Sequence, residues 1–182
     1  MKQYAKQIVL LRGINVSGRN QIRMAELCQL VAETGGREIQ TYIQSGNLVC
    51  LADSPPADLE RELEQAIERR FNLKIPVIVR TATDWAADVA GNPFPKESAL
   101  EPNRVMLALA KLPPKPEAVA ELRARSAGGE SIIQVGDAMW IYFPGGVGST
   151  KITPALLDRL AGSPVTMRNW RTVLKLNEMT RS

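Results

Sequence analysis

Apolar positions along the chain alternate between short β-like runs and longer stretches at helical spacing. Residues 8–11 are a continuous apolar run that enters Arg12-Gly13-Ile14-Asn15, which predicts a buried strand and then a polar loop through Gly18, Arg19 and Asn20. Met24, Leu27, Cys28 and Val31 recur at i, i+3, i+4 and i+7, an amphipathic helix stopped by Gly35-Gly36. Residues 39–43 and 48–51 are two β-prone runs across Gln44-Ser45-Gly46-Asn47, whose Gly and Asn tolerate positive φ, so they read as a hairpin. Ser54 is placed to cap a helix with Pro55 at its first position, and Leu59, Leu63, Ala66, Ile67 and Phe71 mark one apolar face. Residues 76–79 close the unit as a strand. The order is βαββαβ, the ferredoxin-like split motif of two helices on one face of a four-stranded antiparallel sheet.

The same order is expected to return. A short helix over 83–90 leads into Gly91, Pro93, Pro95 and Pro102, a stretch with little periodicity that reads as the boundary. Beyond it come a strand over 104–110, a helix over 116–125, strands over 131–135 and 138–143 across Gly136-Asp137, a helix over 153–160 and a strand over 165–167. A last helix over 170–179 has no counterpart in the first half. The fold class expected is α+β, two ferredoxin-like subdomains with antiparallel sheets plus a C-terminal helix. The subdomains are 1–91, with the trailing helix, and 92–182, with the linker.

Composition changes this picture in three ways. The chain has no histidine, which excludes a Ser-His-Asp or Cys-His arrangement, a histidine general base and an ordinary zinc site. Its two cysteines, Cys28 and Cys50, lack metal-ligand spacing and fall on a predicted helix face and a predicted strand, where reduced core thiols are expected. Lys2 and Lys6 precede an apolar run too short for a signal peptide or a membrane span, so a cytoplasmic location with no membrane association is expected. The net charge is +4, and residues 151–182 carry an equal excess through Lys151, Arg159, Arg168, Arg171, Lys175 and Arg181 against Asp158 and Glu178. Such a local field favours anionic partners.

Three segments are candidates for binding chemistry. Arg168-Asn169-Trp170-Arg171 places Asn169 as a cap of the last helix, with helix amides and two guanidinium groups available to one anion. The plainer reading is a cap, a core tryptophan and solvated or paired arginines. Residues 145–151 form a glycine-rich loop between strand and helix ending in Lys151, a context for phosphate, but counting from Gly145 the second Walker glycine is Thr150 and the residue after Lys151 is Ile152. The plainer reading is a turn. Arg12, Asn15, Gln44, Ser45 and Asn47 adjoin central strands whose ends can bring them together in one cleft, or they make turns and bond nearby backbone. Ser45 has no histidine to activate it as a nucleophile. Trp140 and Tyr142 occupy one side of their strand, the place of stacking aromatics in RNA-recognition domains, but without that signature burial is expected.

Several segments together resemble a known family: residues 10–16 with Gly18, Met24 and Leu27, residues 41–47, Asn92-Pro93-Phe94, Pro144-Gly145, Thr150-Lys151, and Thr166 with 168–170, Thr172, Lys175 and Leu176. They resemble the bacterial family catalogued as domain of unknown function 1697, from which the chain departs with Ser17 where glycine is usual and Thr150 where serine is expected. The resemblance implies two ferredoxin-like subdomains and no established reaction. The preferred expectation is a noncatalytic binder of a phosphate-bearing ligand or nucleic acid, without a cofactor or metal. The alternatives are an enzyme acting on a phosphorylated small molecule and a protein-interaction scaffold.

Overall fold

The structure, a computed structural model, describes residues 3–181, so Lys2 lies outside the described residues. It divides into two compact units. One runs through Ala86 and takes in the chain from Lys175 onward; the other is Ala87–Leu174.

The first unit contains β1 (Ala5–Leu11), α1 (Met24–Glu33), β2 (Arg37–Tyr42), β3 (Asn47–Ala52), α2 (Pro56–Phe71) and β4 (Val77–Thr81). Its antiparallel sheet has the order β2-β3-β1-β4, with Val9 opposite both Leu48 and Val79. The continuous apolar run of β1 is explained by its interior place. Val9 and Leu11 join the core under the helices, and Ile8 and Leu10, on the opposite face, are buried as well. Leu27, Leu30 and Val31 of α1 and Leu59, Leu63, Ala66 and Ile67 of α2 complete that core. Each large aliphatic side chain so buried contributes roughly 1.5–3 kcal/mol. The sequence reading placed the start of α2 one residue early. Pro55 is the N-cap and Pro56 the first helical residue, without a side-chain cap, while the Ser54 carbonyl accepts from Gln7 Nε2 at 2.8 Å.

Helix α2 also guards the sheet edge. Among the described residues β4 pairs only with β1, and its outward amides at Val77 and Val79 donate to Glu64 Oε1 (2.9 Å) and Glu60 Oε1 (2.8 Å). Carboxylates one helical turn apart thus occupy alternate amides that an added strand would need.

After α3 (Ala82–Ala90) comes α4 (Pro95–Leu100), a helix the sequence reading did not expect in the proline-rich boundary. Asn92 organises it: its Oδ1 accepts from Phe94 N at 2.9 Å and its Nδ2 donates to the buried Ser98 Oγ at 2.7 Å. A proline tolerated in the first turn and a six-residue length hid the helix from a periodicity test.

The second unit repeats the topology with β5 (Val105–Ala110), α5 (Ala118–Arg125), β6 (Ser131–Val135), β7 (Ala138–Tyr142), α6 (Pro154–Ala161) and β8 (Val165–Asn169), followed by α7 (Trp170–Met179). The order is β6-β7-β5-β8, the permutation seen in the first sheet. The edge device recurs too: Asp158 Oδ1 of α6 accepts from Val165 N of β8 at 2.9 Å. Ala108, Ala110, Met139 and Ile141 face the helices, and Leu107, Leu109 and Trp140 on the other face are also buried. Trp140 is fully enclosed and meets Trp170 edge-on at 5.7 Å between ring centroids. It therefore offers no stacking surface for bases. Both cysteines are free thiols; Cys50 is buried, and burial raises its pKa to about 11.

Candidate functional site

In the first unit, the loop from Arg12 to Arg23 and the turn from Ile43 to Gly46 meet at the end of β1. Asn15 joins them. Its Nδ2 donates to Ile22 O at 2.9 Å and to Gln44 O at 2.7 Å, and its Oδ1 accepts from Ile22 N at 2.9 Å. The residue sits at φ +53°, a region that asparagine enters at lower cost than most side chains. Gly46 seals the junction. Its carbonyl accepts from Leu11 N at 2.8 Å, and at φ +76° an added Cβ would lie 2.7 Å from Leu11 Cβ, so only glycine fits. Ser17 adopts φ +50°, a region that glycine enters without steric cost.

Asn47 is fully buried, donating to Ser45 Oγ at 2.9 Å and Tyr42 O at 3.2 Å. Asn15, Ser45 and Asn47 therefore act within this cluster by shaping its loops. Arg12 is half-buried at the end of β1, its amide bonded to Pro76 O at 3.0 Å.

Together these loops and the start of α1 form an open cleft of about 530 Å³, lined by Asn15, Gly18, Gln21, Arg23, Glu26 and Gln44, with Ile22 and Met24. Arg23 is the N-cap of α1, and no side chain caps the helix. The start of α1 thus lies uncapped beside a cleft whose lining carries side-chain amides, the Arg23 guanidinium and the Glu26 carboxylate. Two of the residues singled out from sequence, Asn15 and Gln44, line it. Gln21, Arg23 and Glu26 were missed; an arginine immediately before a helix with no capping side chain was the available signal.

In the second unit, Asn169 Oδ1 accepts from Thr172 N at 2.9 Å, the cap expected from sequence. Arg168 is half-buried by surface area, but its guanidinium is enclosed by protein. It donates to Thr166 Oγ1 at 2.7 Å and Met167 O at 2.9 Å. Burial lowers its pKa to about 10, so it remains a cation at neutral pH. Arg171 is exposed. Lys151 is also exposed, and among the described residues its ammonium makes no hydrogen bond or ion pair. The register places the ends of β7 and β8 beside the start of β5, so the loop carrying Lys151 leaves from the same end of the sheet as Asn169.

That glycine-rich loop is internally braced. Ser149 Oγ donates to Gly145 O at 2.8 Å within a short 3₁₀ turn, Val147–Ser149, and Thr150 Oγ1 donates to the carboxylate of Glu130. The Thr150 bond lowers the Glu130 pKa, placing an anion against the loop. A carboxylate there works against phosphate at the loop. Nearby, Tyr142 Oη donates to Glu101 Oε2, which raises the tyrosine pKa, and Glu101 also pairs with Arg104. This network ties the end of α4 to β7.

The family model described as a protein of unknown function, DUF1697, matches residues 1–140. The chain belongs to the DUF1697 family. The DUF1697 match covers the Asn15 loop, the Gln44 turn and the cleft, and ends before Lys151 and Arg168. Among solved structures, a conserved bacterial protein from Streptococcus pneumoniae is similar over 98% of this chain and 99% of that one, with a TM-score of 0.76 at 21% identity. At that identity the likeness concerns the fold. No curated protein matches the DUF1697 chain. No helix among its described residues is long and apolar enough to cross a membrane, and they contain no group of three acidic or cysteine side chains able to hold a metal ion.

Proposed function

We propose that the protein is a noncatalytic binder of a phosphate-bearing ligand and that the cleft of the first unit receives it. The supporting observation is the pairing of uncapped α1 amides with Arg23 at a cleft whose walls are pinned by Asn15. Amide dipoles and a guanidinium complement an oxyanion, and a wall held by three hydrogen bonds lowers the ordering cost of binding. Gln44 and Gln21 supply neutral donors and acceptors for the rest of the ligand. Arg171 and Lys151 are exposed cations on segments that leave the same end of the second sheet, suited to a phosphate backbone and to the nucleic-acid form of the same reading. Two free thiols fit a reducing, cytoplasmic compartment.

The test is calorimetric titration with methyl phosphate, adenosine monophosphate and single-stranded RNA at two salt concentrations, on wild type, Arg23→Ala, Gln44→Ala and Arg171→Ala. Cleft binding predicts that Arg23→Ala weakens methyl phosphate by roughly one to two decades, equivalent to losing a charge-assisted bond of about 1.5–3 kcal/mol. Arg171→Ala should leave that affinity unchanged. RNA binding that falls steeply with salt and is lost in Arg171→Ala would assign the ligand to the second unit. Absence of binding by all three probes would refute the reading.

A further inference from the structure

The cleft is lined by one charge of each sign, and the two are close along the chain. Arg23 is the N-cap of α1, which makes Glu26 the third helical residue, and both line the cleft with exposed side chains. Each position has an ordinary local use. A glutamate three residues after an N-cap folds back to accept from the N-cap amide, and opposite charges at i and i+3 pair with one another. Neither bond is made here. Among the described residues the Arg23 guanidinium and the Glu26 carboxylate have no hydrogen-bond or ion-pair partner. The same spacing does close elsewhere in this chain, between Arg61 and Asp58 at 2.8 Å and, in the same basic-before-acidic order, between Lys175 and Glu178 at 2.9 Å.

The rest of the lining is uncharged. Gln21 and Gln44 supply side-chain amides, and the 2.7 Å bond from Asn15 Nδ2 to Gln44 O fixes the segment that carries Gln44. A bare oxyanion held by Arg23 would meet like charge at Glu26. A ligand that carries a cation beside its phosphate turns that repulsion into a contact, and it satisfies both side chains that the protein leaves unpaired.

We infer that the ligand of this cleft is an aminoalkyl phosphate: Arg23 holds its phosphate, and Glu26 holds its ammonium across a short carbon bridge. The inference rests on the cleft reading and adds the ligand's second charge. The same chemistry occurs in a free aminoalkyl ester and in the headgroup of an ethanolamine phospholipid, and the experiment separates them.

Ethyl phosphate and aminoethyl phosphate, which are close in size, are titrated calorimetrically into wild type, Glu26→Gln and Arg23→Ala at about pH 8, above the second phosphate pKa. Wild type should prefer aminoethyl phosphate about fivefold, the gain from one further exposed ion pair, and the preference should shrink with added salt. Glu26→Gln should lose that preference and bind ethyl phosphate at least as well as wild type does, because a like charge is gone. Arg23→Ala should weaken both esters. The affinity ratio is taken within each protein, so a general loss of folded protein leaves it unmoved. Equal affinity of wild type for the two esters would overturn the inference while leaving the cleft reading intact, and no binding of either would overturn both. A preference retained in Glu26→Gln would also overturn it. Sedimentation with phosphatidylcholine vesicles containing phosphatidylethanolamine identifies the source. Co-sedimentation lost in Glu26→Gln assigns a lipid headgroup, and aminoethyl phosphate binding without co-sedimentation assigns a free ester.

Discussion

Removing the Asn15 side chain separates what its hydrogen bonds contribute from what its backbone conformation requires. Asn15 makes bonds of 2.9, 2.7 and 2.9 Å to the two chain segments that form the cleft wall. At about 1 kcal/mol for each partly buried bond, discounted for the exposed one to Gln44, their loss amounts to roughly 2–3 kcal/mol. Alanine also has to occupy φ +53°, which adds roughly 1 kcal/mol; glycine occupies it freely but starts from a more disordered unfolded chain. Asn15→Ala should therefore lower stability by about 3–4 kcal/mol and Asn15→Gly by slightly less. For a chain of this size that corresponds to a fall of about 10 °C in Tm, read by circular dichroism and checked by urea titration for a second transition of the other unit. Methyl phosphate affinity should fall in both variants, since the wall then has to be ordered on binding. A loss below about 1 kcal/mol in both would refute the assignment of Asn15 as the organiser of these loops.

Glu60 offers a second test: Glu60→Leu strands the Val79 amide and should cost about 1–3 kcal/mol in thermal unfolding, whereas Glu60→Gln retains an acceptor and should cost less than about 1 kcal/mol. Cys50 provides a pH signature. Its pKa is raised by burial from 9.0 to about 11, so its contribution is intact below pH 9 and is lost as pH rises toward 11, where the unfolded thiol ionises first. The loss should reach about 2–3 kcal/mol at pH 11 relative to Cys50→Ala, measured by urea unfolding; parallel pH profiles would contradict it. At pH 8 the folded wild type should modify at Cys28 well before Cys50.

The two βαββαβ units were legible because each element carries its own periodic signal, and the strands of each unit pair in one antiparallel order. The α4 helix was not, because its signal lies in two side-chain bonds from Asn92 rather than in an apolar repeat. Ser54 failed as a cap for a related reason: residue type named a capable side chain, but its place one residue before the N-cap turned its carbonyl toward Gln7 instead.

The candidate site shows the same division between chemistry and placement. Arg12, Asn15, Gln44, Ser45 and Asn47 were selected as polar residues at adjacent strand ends, and adjacency follows from topology. Which of them faces a ligand depends on side-chain bonds that sequence spacing does not encode. Asn15 and Asn47 have polar atoms committed to backbone and Ser45. That commitment gives them a structural role in the loops around the cleft. On the proposed reading the contact chemistry passes instead to Gln44, Gln21 and Arg23, which line the cleft with exposed side chains. A polar residue in a loop can thus serve binding in two physically distinct ways, and they predict different variants. Asn15 substitutions should lower stability and affinity together, whereas Arg23→Ala should lower affinity at nearly constant Tm.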